Sequence, residues 1–95
     1  MILYHRTTAA KAILCEGFQD REGSYLFEGI TLRGVWISDV PLDCNEGTKG
    51  EQLIAITLPA TIDISDYEIV EDGKPYREWC VPAEILNQAK VRISA

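Results

Sequence analysis

Met1-Ile2-Leu3-Tyr4-His5-Arg6-Thr7-Thr8 is the stretch on which the rest of the chain turns. Ile2, Leu3 and Tyr4 favour a strand, and Thr7 or Thr8 can cap a helix that follows it. His5, the one histidine of the chain, therefore falls at or near the end of a strand. A neutral imidazole there offers one donor and one acceptor, and can hold a ligand hydroxyl without carrying charge. The commoner fate of such a residue is to be half-buried and satisfied by backbone.

Working outward, Ala9 to Glu16 is rich in helix formers, and Gly17 stands where a left-handed stop is wanted. Ala9, Ala10, Ile13 and Leu14 form one apolar face, onto which Phe18 can fold back. Gln19 to Arg33, with Tyr25 and Phe27 and no clean period, is expected to be a long loop able to cover a pocket beside His5. Gly34 to Asp39 predicts a strand with Val35 and Ile37 on one face and Trp36 and Ser38 on the other. Pro41 to Gly47 reads as a turn or a single helical turn.

Glu51 to Leu58 is a nearly continuous apolar run stopped by Pro59, which predicts a central strand covered on both faces. Ile62 and Ile64 alternate with Asp63 and Ser65 as an edge strand would, and an acidic stretch leads to a turn at Asp72-Gly73-Lys74-Pro75. Tyr76 to Val81 predicts a further strand, with Glu78 and Cys80 on one side and Trp79 and Val81 on the other. Pro82 then opens a short helical turn, Ala83 to Leu86, and Lys90 to Ser94 closes as a strand. Among such neighbours Glu78 is either paired with Arg77 or another base, or faces a site that uses its charge.

A chain of 95 residues makes one domain, residues 1–95. Its net charge of −6 argues against an extended groove that tracks nucleic-acid phosphates. Cys15, Cys44 and Cys80 are an odd set with no C-x-x-C spacing, which suits free thiols in a reducing cytoplasm and argues against a zinc or other metal site. No apolar run reaches membrane length and no leader pattern opens the chain, so a soluble cytoplasmic protein is expected. A cysteine-dependent enzyme pairing His5 with Cys44 or Cys80 ranks well below the other readings, because no basic cluster near either thiol is visible to activate it.

In order and in kind these segments resemble the ADP-ribosyltransferase superfamily, in particular its His-Tyr-Glu branch, which includes the poly(ADP-ribose) polymerase catalytic domain. His5-Arg6-Thr7 stands where that branch has His-Gly-Thr, followed by a helix ending at Gly17-Phe18. Gly34-Val35-Trp36-Ile37-Ser38-Asp39 is similar to its Gly-Ile-Tyr-Phe-Ala-Asp strand. Glu78-Trp79-Cys80-Val81 is similar to the Glu-Tyr-x-Val strand that carries the catalytic glutamate.

The resemblance implies a compact α+β fold, with small antiparallel or mixed β-sheets packed as a split sandwich, one N-terminal helix and a short helical turn. It also implies NAD as substrate, and either ADP-ribosyl transfer to an unspecified acceptor or NAD hydrolysis, in a minimal bacterial toxin-like glycosyltransferase. Glu78 would stabilise the oxocarbenium-like transition state and His5 would hold a ribose hydroxyl. Arg6, Thr7, Trp36, Ser38 and Tyr25 would complete the NAD site. Arg6 stands in place of the branch's glycine and Trp36 in place of its tyrosine, while Tyr76, two residues before Glu78, is neither the Glu nor the Gln of arginine-directed relatives. The alternative is a module on the same fold that binds NAD or a protein partner without turnover; an interaction or neutralising partner would suit either reading.

Overall fold

The structure is a computed structural model, and it describes residues 1–24, 31–41, 52–70 and 73–94. It is a small α+β fold in which strands β1 (Ile2–Thr7), β3 (Thr31–Ser38), β4 (Gln52–Thr57), β5 (Glu68–Ile69), β6 (Glu78–Val81) and β7 (Lys90–Ile93) join edge to edge. Their order is β5-β6-β3-β1-β4-β7, and every neighbouring pair is antiparallel. A further strand, β2 (Arg21–Ser24), pairs antiparallel with the first half of β3. Where two packed sheets were expected, the described strands thus form one sheet with a side branch, and no mixed pairing occurs among them.

The central pair explains the rest. β1 and β4 align over six positions, from Ile2 opposite Thr57 to Thr7 opposite Gln52. The apolar run predicted a strand covered on both faces, and Leu53, Ile54, Ala55 and Ile56 are all buried. Alternation then sorts the sheet into two faces. Leu3, Val35, Ile37, Ile54, Ile56, Trp79 and Val81 share the core face, joined by Phe18, Leu58, Ile64 and Leu86. Complete burial of a side chain as large as Trp79 contributes roughly 2–3 kcal/mol. The Arg77 guanidinium lies 4.9 Å from the Trp79 ring centroid and is held there by two hydrogen bonds to Glu68, which keep the Glu68 carboxyl below its ordinary range.

Helix α1 (Ala10–Glu16) begins one residue later than the sequence suggests and ends as expected, with Gly17 at φ 87° donating its N–H to the Ile13 carbonyl. Of its apolar face, Ala10 and Ile13 meet the core, whereas Leu14 is exposed. The expected threonine cap is replaced by a tighter local bond: Thr7 Oγ1 accepts from the Ala9 N–H at 3.0 Å, and Ala9 occupies the cap position without a side-chain bond. α2 (Ala83–Leu86) follows Pro82 as predicted.

Two expectations fail for physical reasons. Residues 21–24 and 31–33 are not loop but a ladder that extends β3, because pairing across Gly34 opposite Arg21 satisfies their backbone groups. Ile62 and Ile64 do not make a strand. Asp63 accepts the Ser65 N–H at 2.8 Å, and this turn leads into a 3-10 segment, Ser65–Tyr67, before the short β5. The expected turn at Pro41 to Gly47 lies outside the described residues except for Pro41, and Glu51 and Asp72 lie outside them as well. No helix among the described residues is long and apolar enough to cross a membrane.

Gly34 is the last residue of β3 paired with β2, and Val35 the first paired with β6. Its φ is 154°, and a Cβ there would stand 3.0 Å from the Val81 carbonyl oxygen and 3.1 Å from Cys80 Sγ. Gly73, at φ 83°, has nothing within 4 Å of that position. Gly34→Ala is therefore expected to cost about 2–3 kcal/mol, from backbone strain plus collision, and Gly73→Ala only about 1 kcal/mol from strain. Urea unfolding midpoints of the two variants check the order.

Candidate functional site

The site begins where β1 and β3 stop pairing. The two strands meet at a single register position, Tyr4 opposite Ser38, and beyond it they part. At the next residue along β1, the His5 ring replaces a ladder bond: Nδ1 lies 2.7 Å from the Trp36 carbonyl oxygen. A carbonyl only accepts, so Nδ1 carries the proton and Nε2 is left as the ring's acceptor in the neutral form. Phe18 packs edge-on against the imidazole, with centroids 5.6 Å apart and planes at 78°. Burial lowers the His5 pKa below 6.5, and the bond to Trp36 offsets this only in part.

A cleft of about 490 Å³ opens along this split. One bank is β1 with His5 and Thr7, the other is the Gly34–Trp36 stretch of β3, and α1 with Ile13 and Glu16 and the following Phe18 closes it. The volume lies in the usual range for small-molecule sites, roughly 300–1,000 Å³. Among the described residues its lining holds no lysine or arginine, and Glu16 is the one carboxylate. Apolar walls, a threonine hydroxyl, an imidazole acceptor and a single carboxylate complement an uncharged or cationic group bearing hydroxyls better than a phosphate.

The residues expected to form one NAD site divide between the faces of the sheet. His5 and Thr7 are on the cleft side. The register places Ser38 beside Glu78 and Trp36 beside Cys80, and alternation puts Arg6 with Trp36, all on the opposite face. Trp36 borders the cleft at its backbone, through the carbonyl that His5 uses. Ser38 is buried and donates its hydroxyl to the Val40 carbonyl at 2.7 Å. Glu78 is largely buried, its side chain 12% exposed, and its carboxylate accepts a charge-assisted hydrogen bond from Lys74. Of the two roles foreseen for Glu78, pairing with a base is realised, with Lys74 rather than Arg77 as partner. Tyr25 lies outside the described residues.

Sequence reasoning missed Glu16 and Gly34 as parts of the cleft. It placed Phe18 correctly against the core but did not see it as a wall of the site, although an aromatic directly after a helix stop on the strand-facing side is the signal that would have found it. Cys80 is buried beside Trp36, and burial, with a smaller contribution from the Asp20 charge, pushes its thiol up. That is the wrong direction for a nucleophile, and His5 is on the other face. Cys44 lies outside the described residues. Among the described residues no group of three metal-ligating side chains gathers.

The lowered His5 pKa has a definite sign. Below pH 6.5 the unfolded chain takes up a proton that folded His5 refuses, so stability is full above that pH and is lost as pH falls toward the folded-state value. Denaturant unfolding from pH 7.5 to 5 is expected to show this fall in the native chain, and His5→Gln is expected to flatten it over that window. Asp63 and Glu68, whose pKa values are also lowered, act only at lower pH. No protein-family model, curated protein or solved structure matches the chain.

Proposed function

We propose that this chain is a minimal ADP-ribosyltransferase-type domain that binds NAD and breaks its nicotinamide–ribose bond, passing ADP-ribose to an acceptor or to water. The observation that carries this reading is that the strands bearing its three motifs, far apart in sequence, are consecutive neighbours, β1, β3 and β6, with His5 at the split between the first two. The lack of basic side chains among the described residues of the cleft suits the cationic nicotinamide and its ribose rather than the pyrophosphate. His5 Nε2 accepts a ribose hydroxyl, and the Phe18 wall and Thr7 flank the ring.

In the reaction the electron pair of the C1′–N bond leaves with nicotinamide, which departs neutral. The positive charge this leaves on the ribose is stabilised by a carboxylate, and an acceptor oxygen then bonds to C1′ and releases its proton. The resemblance assigns that carboxylate to Glu78, which does not line the cleft and meets the ribose only if the ligand or the strands between them rearrange. Glu78 stands two strands from His5, roughly 10 Å across the sheet, at the Tyr4–Ser38 end of the split. Substrate must displace Lys74 from it. The Glu78–Lys74 pair and the placement of Glu78 on the face opposite His5 favour a second reading, a module that holds NAD in the cleft without turnover.

Titration with NAD, followed in the same sample for free nicotinamide, separates the two. The transferase reading expects release by the native chain, reduced about 100-fold or more in Glu78→Gln with affinity changed only a few-fold. Binding without release in both proteins leaves the second reading standing. Absence of binding removes both.

A further inference from the structure

The residue that fixes the far wall of the cleft comes from the other end of the chain. Phe18 follows Gly17, and its backbone is gripped from both sides by one side chain, Asn87. The Phe18 N–H donates to Asn87 Oδ1 at 2.6 Å, and Asn87 Nδ2 donates to the Phe18 carbonyl at 3.1 Å. This is the bidentate match an amide makes with the N–H and C=O of one residue, which fixes orientation as well as distance. The site is shaped for it: a Cβ on Gly17 would come within 2.9 Å of Asn87 Oδ1, so only glycine before Phe18 lets the amide approach. Two residues further on, Asp20 Oδ1 accepts the Ala83 N–H at 2.8 Å. The connector from residue 17 to 20 is thus stapled to both ends of α2, while the Phe18 side chain between the staples packs against His5.

Asn87 is exposed and lines none of the cleft, so it cannot touch a ligand held there. We infer that Asn87 is a positioning residue for the His5 site: by clamping the Phe18 backbone it sets the ring that closes the cleft and keeps water from the imidazole. The inference rests on the proposed NAD reading for its ligand, but its first readout needs none.

His5 is the one histidine, so in tag-free protein its ring protons give a single NMR titration. In the native chain that midpoint is expected below the ordinary imidazole value, because burial disfavours the charged ring. Asn87→Ala is expected to move it upward, as water reaches a loosened Phe18, and to weaken the ring-current shift that Phe18 imposes on the imidazole. Glu16, the other titratable group on the described lining of the cleft, makes no hydrogen bond with the Asn87 side chain, whose bonds go to Phe18. Phe18→Leu, which leaves the backbone clamp in place, is expected to move the midpoint the same way. The double variant should add little to either, because both act through one contact. Gln88→Ala removes only a bond to the Glu84 carbonyl and should leave His5 as it is.

NAD affinity is expected to fall about tenfold in Asn87→Ala. An unmoved His5 midpoint and ring-current shift in folded Asn87→Ala overturns the positioning role whether or not NAD binds. A moved midpoint in a chain that binds no NAD upholds the clamp and instead removes the NAD reading. If Asn87→Ala does not fold, Phe18→Leu decides, and an unmoved His5 there overturns the proposal.

Discussion

The molecule depends on a bond that substitutes for sheet pairing. β1 and β3 share one register position and then separate, and the His5–Trp36 hydrogen bond ties them where the ladder fails. Losing it would remove a hydrogen bond that joins the two strands, at a net cost of about 0.5–1.5 kcal/mol. The same contact sets which ring nitrogen carries the proton and leaves the other free to accept. A structural requirement of the sheet and a chemical property of the site are thus met by one imidazole.

How much of this was legible depends on the range over which each residue acts. The central strand was plain because four successive apolar residues have to be covered on both faces. The helix end was plain because Gly17 marks it locally. The two-sided sorting of Glu78 and Cys80 against Trp79 and Val81 followed from period-two alternation and holds in the structure. The β2–β3 ladder was missed because its partners carry no alternating apolar pattern to announce a strand. The strand expected at Ile62 was lost to an Asp63–Ser65 turn, a local bond that competes with extension.

Of the described residues that the sequence singled out for a site, His5, Thr7 and Trp36 border the cleft and Arg6, Ser38 and Glu78 do not. Alternation along β1 places Arg6 opposite in sense to His5 and Thr7, and this much the sequence contains. Which strand lies beside which, and therefore that Glu78 stands next to Ser38 with Lys74 on its carboxylate, is a property of the sheet order. Asn87 left no trace in the sequence at all. A polar residue after a short helical turn is ordinary, and its meaning comes from Phe18, 69 positions away.

That separation bears on how the molecule is made. β1 waits for β4 on one side and β3 for β6 on the other, and the clamp on Phe18 waits for Asn87. Contacts between such distant segments are costly to close and slow to form. His5 precedes in sequence the strands and the Asn87 side chain that enclose it, so the cavity around it is finished only once residue 87 has been added. A partly made segment therefore carries His5 and Thr7 without the enclosed cleft that they line when folding is complete.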